Sequence, residues 1–128
     1  MTHKVVCQKD ALNSDFAVIV DDKIATTFPY TSWFVPHGMS ETSAQAAADD
    51  LTIKLSDVFA LGAPSYVVEV ADNGSGFDVL VNDHVMITYD YSGVWVIGGL
   101  LASKTSAMAK AYQLGQNLSS IFQTAMRV

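Results

Sequence analysis

Cysteine, basic residues and long apolar runs are all scarce in this chain, and each scarcity removes a class of explanation. A single cysteine, Cys7, cannot close an internal disulfide and is too few for a thiolate metal site. Seven Lys or Arg stand against thirteen Asp or Glu, for a net charge of −6. The excess is shared, −4 over residues 1–62 and −2 over 63–128. Such a surface repels phosphate backbones, so no nucleic-acid partner is expected. The same field works against anionic membranes. The longest apolar stretch, Val94 to Ala102, is interrupted by two glycines. It is about half of the ~18 residues a spanning helix needs, so no membrane partner is expected. Met1-Thr2-His3-Lys4 runs straight into a strand-like segment without the basic, apolar and small-residue blocks of a signal peptide. A cytoplasmic protein is the expectation.

Catalytic and metal motifs are missing as well. There is no HxH, HxxxH, CxxC, G-x-S-x-G or Gly-Lys-Ser/Thr phosphate loop. Asp72-Asn73-Gly74-Ser75-Gly76 superficially resembles a calcium loop but lacks the terminal Glu, and it reads as a solvated turn. No metal and no cofactor is expected, and Cys7, in a strand with Val5 and Val6, reads as a buried structural thiol.

What is present is internal similarity. Phe16 to Gly38 aligns with Phe77 to Gly99 at an offset of 61, with eight identities in 23 positions: Phe16, Val18, Val20, Asp22, Thr27, Tyr30, Val35 and Gly38 each meet their own kind. An offset of 62 brings Val5-Val6 onto Val67-Val68 and Asp10 onto Asp72. An offset of 63 brings Ala44, Ala48, Leu51, Leu55, Val58 and Phe59 onto Ala107, Ala111, Leu114, Leu118, Ile121 and Phe122.

Each copy reads as a first strand (about 4–8 and 65–71), a hairpin (16–28 and 77–90), a short fourth strand (32–35 and 93–97) and a helix. The helices have apolar residues at helical spacing. The first starts near Ser40 or Thr42, with Thr42-x-x-Gln45 as a capping box, and stops before Gly62-Ala63-Pro64. The second spans about 104–126 and contains Gly115, where glycine costs ~1 kcal/mol relative to alanine. A close helix contact or simple tolerance would account for it. The expected fold is α+β: a tandem ββββα pseudo-repeat, about 2–62 and 64–126, forming a single domain over 1–128. Its antiparallel sheet or sheets would carry both helices, in a continuous or back-to-back arrangement.

Turns at Asp21-Asp22 and Asn82-Asp83 set the cross-strand pairs by counting: Val20 with Lys23, Ile19 with Ile24, Val18 with Ala25, Phe16 with Thr27. Alternation then places Phe16, Val18, Val20 and Ala25 on one face and Ile19, Ile24 and Phe28 on the other. The second copy sets Phe77, Val79, Val81 and Met86 against Leu80, Val85, Ile87 and Tyr89. Both faces are apolar and one helix covers only one, so the other copy's sheet, a second chain or a ligand must cover the second, and a homodimer contact is favoured.

Two clusters are candidate sites. Tyr30, Trp33 and Phe34, echoed by Tyr91 and Trp95, form an aromatic group suited to a protein or a small apolar ligand. His37 sits among the first three, where Pro36-His37 replaces Ile97-Gly98 of the other copy. The uncharged polar side of the last helix, Gln113, Gln116, Asn117, Ser119, Ser120 and Gln123 among others, fits partial burial against a partner.

The order of strands and Ala-rich helix around Val35-Pro36-His37-Gly38-Met39-Ser40-Glu41 to Ala48 resembles the HicB-type antitoxin module. The extra hairpin departs from that pattern, and no site residue carries over. The first expectation is therefore a small acidic non-enzymatic binding module acting as a homodimer. The second is a small-molecule or enzymatic pocket using His37, with Asp90 or Glu41 as orienter. An antitoxin-like regulator, which the resemblance implies, is the third.

Overall fold

The alternating apolar residues around Asp21-Asp22 and Asn82-Asp83 do form hairpins, and both turns are of one kind. All four central residues take left-handed φ, between 49° and 69°, the geometry of a type I′ turn that matches strand twist. The computed structural model describes residues 3–30, 40–91 and 104–126. The chain divides into two units, Met1–Ala63 and Pro64–Val128.

The first unit contains β1 (Val5–Asp10), β2 (Asp15–Val20), β3 (Lys23–Pro29) and α1 (Glu41–Ala60); the second contains β4 (Val68–Asp72), β5 (Gly76–Val81), β6 (His84–Asp90) and α2 (Lys104–Phe122). The fold is α+β, with two antiparallel three-stranded sheets ordered β1-β2-β3 and β4-β5-β6. The expected ββββα arrangement is not matched: among the described residues three strands precede each helix. The positions expected for a fourth strand, 32–35 and 93–97, lie outside the described residues. The described strands likewise make two separate sheets and not a continuous one.

The hairpin pairing departs from simple counting. Val20 meets Lys23 and Ile19 meets Ile24, but a bulge follows and Val18 meets Thr26, Ala17 meets Thr27 and Phe16 meets Phe28. Ala25 is the extra residue. In the second unit the bulge falls between Val79 and Leu80, Met86 is extra, and Phe77 meets Tyr89. Two residues opposite one shift everything beyond by one position and change the face they occupy. Phe28, expected on the far face, therefore lies on the helix side and is buried beside Phe16. Ile87 and Tyr89 move in the same way.

The first strands also pair differently from expectation. Val5 lies opposite Val20 and Val68 opposite Val81. Position for position, Val5 corresponds to Val68, Cys7 to Val70 and Lys9 to Asp72, an offset of 63 and not 62. The cause is the connecting loop, which is two residues shorter between Asp72 and Phe77 than between Lys9 and Phe16.

Each helix covers its own sheet. Ala44, Ala48, Leu51, Leu55, Val58 and Phe59 of α1 are buried over Val18, Val20 and Ala25; Ala107, Ala111, Leu114, Leu118 and Ile121 of α2 are buried over Val68, Val79, Val81 and Met86. Full burial of each large aliphatic contributes about 1.5–3 kcal/mol. α1 starts at the first of the two expected positions, two residues before the Thr42 box: Ser40 is the cap, its Oγ accepting from the Ser43 N–H at 3.1 Å. It stops where Gly62 takes φ 70° and donates its N–H to the Phe59 carbonyl. α2 stops at Phe122, shorter than expected. Gln123 takes φ 57° and the Thr124 N–H closes back on the Ser119 carbonyl at 2.9 Å. The chain then reverses, leaving Ala125 exposed and not on the buried stripe.

Gly115 is explained by contact with a strand and the chain end, not with a helix. A Cβ there would stand 2.9 Å from Val70 Cγ2 and 2.5 Å from Met126 Sδ.

Candidate functional site

Of the six expected site residues, Tyr30 and Tyr91 fall among the described ones; Trp33, Phe34, His37 and Trp95 lie outside them. The two tyrosines follow β3 and β6 and occupy matching surroundings. The Tyr30 N–H donates to the Ser14 carbonyl and the Tyr91 N–H to the Ser75 carbonyl, each at 2.9 Å. Each ring lies 5.4 Å from a buried phenylalanine, Phe16 and Phe77, in a tilted arrangement. Each also carries a lysine over its face, Lys9 at 5.8 Å and Lys104 at 5.6 Å. The electron-rich face attracts the ammonium.

The lysines come from opposite sides of the unit. Lys9 is on β1 and pairs with Glu41, the first residue of α1. Lys104 is the first residue of α2 and lies 3.5 Å from Asp72 on β4. Strand-positive and helix-negative in one unit becomes strand-negative and helix-positive in the other. The hydrogen bond and charge of Glu41 raise the Lys9 ammonium above the ordinary lysine value. The Gly74 N–H, then the Tyr91 hydroxyl at 2.7 Å, hold the Asp72 carboxyl below the ordinary value, against a small effect of burial. The Tyr91 phenol is raised in turn by that hydrogen bond. Lys9 and Lys104 were not singled out in the sequence, and Glu41 and Asp72 were named there for other roles. The signal was there, since an offset of 63 aligns Lys9 with Asp72 and Glu41 with Lys104 with both signs reversed.

Other candidates are accounted for locally. The Asp72–Gly76 loop turns its oxygens inward. Asp72 Oδ1 accepts from Gly74, and Asn73 Oδ1 accepts from Ser75 and Gly76 at 2.8 Å each. No group of three His, Cys, Asp or Glu placed to hold a metal occurs among the described residues. Cys7, expected buried, is half-buried on β1, an edge strand of its sheet. Burial pushes its thiol up, the Asp49 carboxylate beside it pushes the same way, and the Thr52 hydroxyl acts against both. His3 pairs with Asp21 and stacks on Phe59 at 5.2 Å, while His84 is exposed at the start of β6. Glu41, a proposed orienter for His37, is held by Lys9.

The sheet faces away from the helices differ from each other. In the first unit Val6, Ile19 and Ile24 stand side by side across three strands. Val6 is 38% exposed, Ile24 is 59% exposed and Ile19 is half-buried. In the second unit the same row reads Glu69, Leu80, Val85, with Val85 40% exposed. Beside it Asp78 accepts from Thr88 Oγ1 at 2.6 Å.

Among the described residues no helix is long and apolar enough to cross a membrane. Comparison with protein-family models, with curated proteins and with solved structures gives no match.

Proposed function

We propose that this chain is a small acidic binding module without catalytic activity, working in the cytoplasm as a homodimer through the helix-free face of its first sheet. The observation that carries the reading is the Val6–Ile19–Ile24 row. Three neighbouring aliphatic side chains remain partly open to solvent, with Ala17 and Gln8 on one side of them and Lys4 and Asp21 towards the turn. Burying such a row against its own copy removes apolar area from water. We further read the two units as copies of one ancestral βββα segment. Support comes from the bulges, the two turns and the two Tyr–Phe–Lys stacks, which recur at matching positions.

Sedimentation across a concentration series tests the dimer. The native chain should show a concentration-dependent dimer, and Ile24→Lys, which places a charge in the row, should abolish it with unchanged circular dichroism. A monomer at the highest soluble concentration would sink the reading. Dimers unaffected by Ile24→Lys would move the contact elsewhere.

A further inference from the structure

The apolar stripes of the two helices are nearly the same object. Ala44, Ala48, Leu51, Leu55, Val58, Phe59 and Ala107, Ala111, Leu114, Leu118, Ile121, Phe122 differ in kind only by Val against Ile, although Phe59 is buried and Phe122 half-buried. The strand residues they cover match at Val18 and Val20 against Val79 and Val81, while the place of Ala25 is taken in the second unit by the larger Met86. Hydrophobic burial is non-directional and scales with area, so the shared part of these stripes does not by itself assign a helix to a sheet.

Two independent features do discriminate. The first is charge: Glu41 of α1 meets Lys9 of β1, and Lys104 of α2 meets Asp72 of β4. Exchanging the helices would bring Glu41 to Asp72 and Lys104 to Lys9, replacing two attractions by two repulsions. The second is size. Thr52 and Gly115 hold the same position on their helices, over Cys7 and Val70, which hold the same position on their strands. A mere Cβ at position 115 already comes within 2.9 Å of Val70. The branched Thr52 would collide there, and Gly115 over Cys7 would leave a void and remove the hydroxyl beside the thiol. From these two features we infer that the units carry a reciprocal charge-and-size code that assigns each helix to its own sheet and selects against the exchanged pairing.

Cys7 is the sole cysteine and provides the reporter. The full-length Thr52→Cys/Gly115→Cys chain makes the two helix positions alike and leaves charge to discriminate. When it is refolded and mildly oxidised at high dilution, Cys7 can bond to position 52 in the native pairing or to 115 in the exchanged one. Tryptic peptide masses separate the two. With native charges the 7–52 bond should dominate. With Glu41→Lys/Lys104→Glu added, the 7–115 share should rise by roughly three- to tenfold, the effect expected of a few exposed ion pairs. Adding Lys9→Asp/Asp72→Lys, which restores complementarity with every sign inverted, should return the 7–52 bond. The urea midpoint should follow, lowest in the mismatched chain and recovered in the fully inverted one. Equal shares of the 7–115 bond in all three chains would overturn the inference. So would failure of the fully inverted chain to refold. If only the mismatched chain fails to refold, the charge code is supported.

Discussion

The first unit stacks its tyrosine with a lysine from the strand, and the second does so with a lysine from the helix. The cation lands over the ring in both, at 5.8 Å and 5.6 Å, although it arrives from opposite partners. The shared requirement is therefore a charge over the aromatic face and a counter-ion beside it, with no requirement on which element supplies which. The size pair behaves in the same way, Cys7 under Thr52 in one unit and Val70 under Gly115 in the other. One scaffold accepts both solutions as long as each is internally consistent.

The sharpest way to break the parallel is to cut equivalent cores. Leu55 and Leu118 are both fully buried on their helices. Leu55→Ala and Leu118→Ala should each cost about 2–5 kcal/mol, transfer and cavity terms together. Urea unfolding checks this. A difference above about 2 kcal/mol between the two would show that the cores are not equivalent, since that exceeds the spread of context within matched sites.

Next in size is the Gly115 contact. Gly115→Thr, which installs the first unit's residue, should destabilise by about 1–3 kcal/mol through overpacking, despite the roughly 0.3 kcal/mol gained in helix propensity. Val70→Cys in the same chain should recover part of the loss. If Gly115→Thr stabilises the protein, the tight contact with Val70 and Met126 is not what keeps glycine there.

These comparisons also show how much was legible beforehand. The hairpins, their turns and the helix stripes follow from alternation and from 3.6-residue spacing, both local properties. The bulges do not, because counting pairs outward from a turn assumes a regular ladder. Nothing in Ala25-Thr26 or Met86-Ile87 announces that two residues will oppose one. That single step carried Phe28 from the far face to the core. The loop difference of two residues hid that the first strands share the helices' offset of 63, and with it the reversed ion pairs. Those pairs join residues 32 positions apart in the chain, beyond the reach of any local pattern. Tyr30 and Tyr91 were visible as identities, but their partners were not.

The turn anchors offer a milder contrast, set by pH. Asp21 accepts the Lys4 N–H at 2.9 Å and pairs with His3, whereas Asn82 accepts the Val67 N–H at 2.8 Å. Burial would raise the Asp21 carboxyl, but these hydrogen bonds outweigh it and hold it below the ordinary value. A depressed carboxyl contributes stability above its unfolded value of ~3.9, and that contribution is lost as pH falls through the folded value. Asp10 and Asp72 are depressed too, so stability should fall below about pH 4. Asp21→Asn, which copies the second unit's residue, should flatten that acid slope without removing it. An unchanged slope would mean that Asp21 makes no pH-dependent contribution.

The smallest expected effect is spectroscopic and isolates the reversed pair. In the first unit the anion Glu41 raises the proton affinity of a lysine; in the second the anion Asp72 raises that of a tyrosine. Tyr91 donates its hydroxyl proton to Asp72 Oδ1, and ionising the phenol would set a second negative charge against the carboxylate. The Tyr91 phenol should therefore titrate above the ordinary value of ~10. Asp72→Asn removes the charge and keeps the shape, so it should bring the phenol down, read as the change in ultraviolet absorbance of tyrosinate on titration. Glu41→Gln, made at the mirrored position, should lower the lysine and leave the Tyr91 titration where it was. If both substitutions move the same phenol, the two stacks are not the separate and sign-reversed arrangements that their geometry describes.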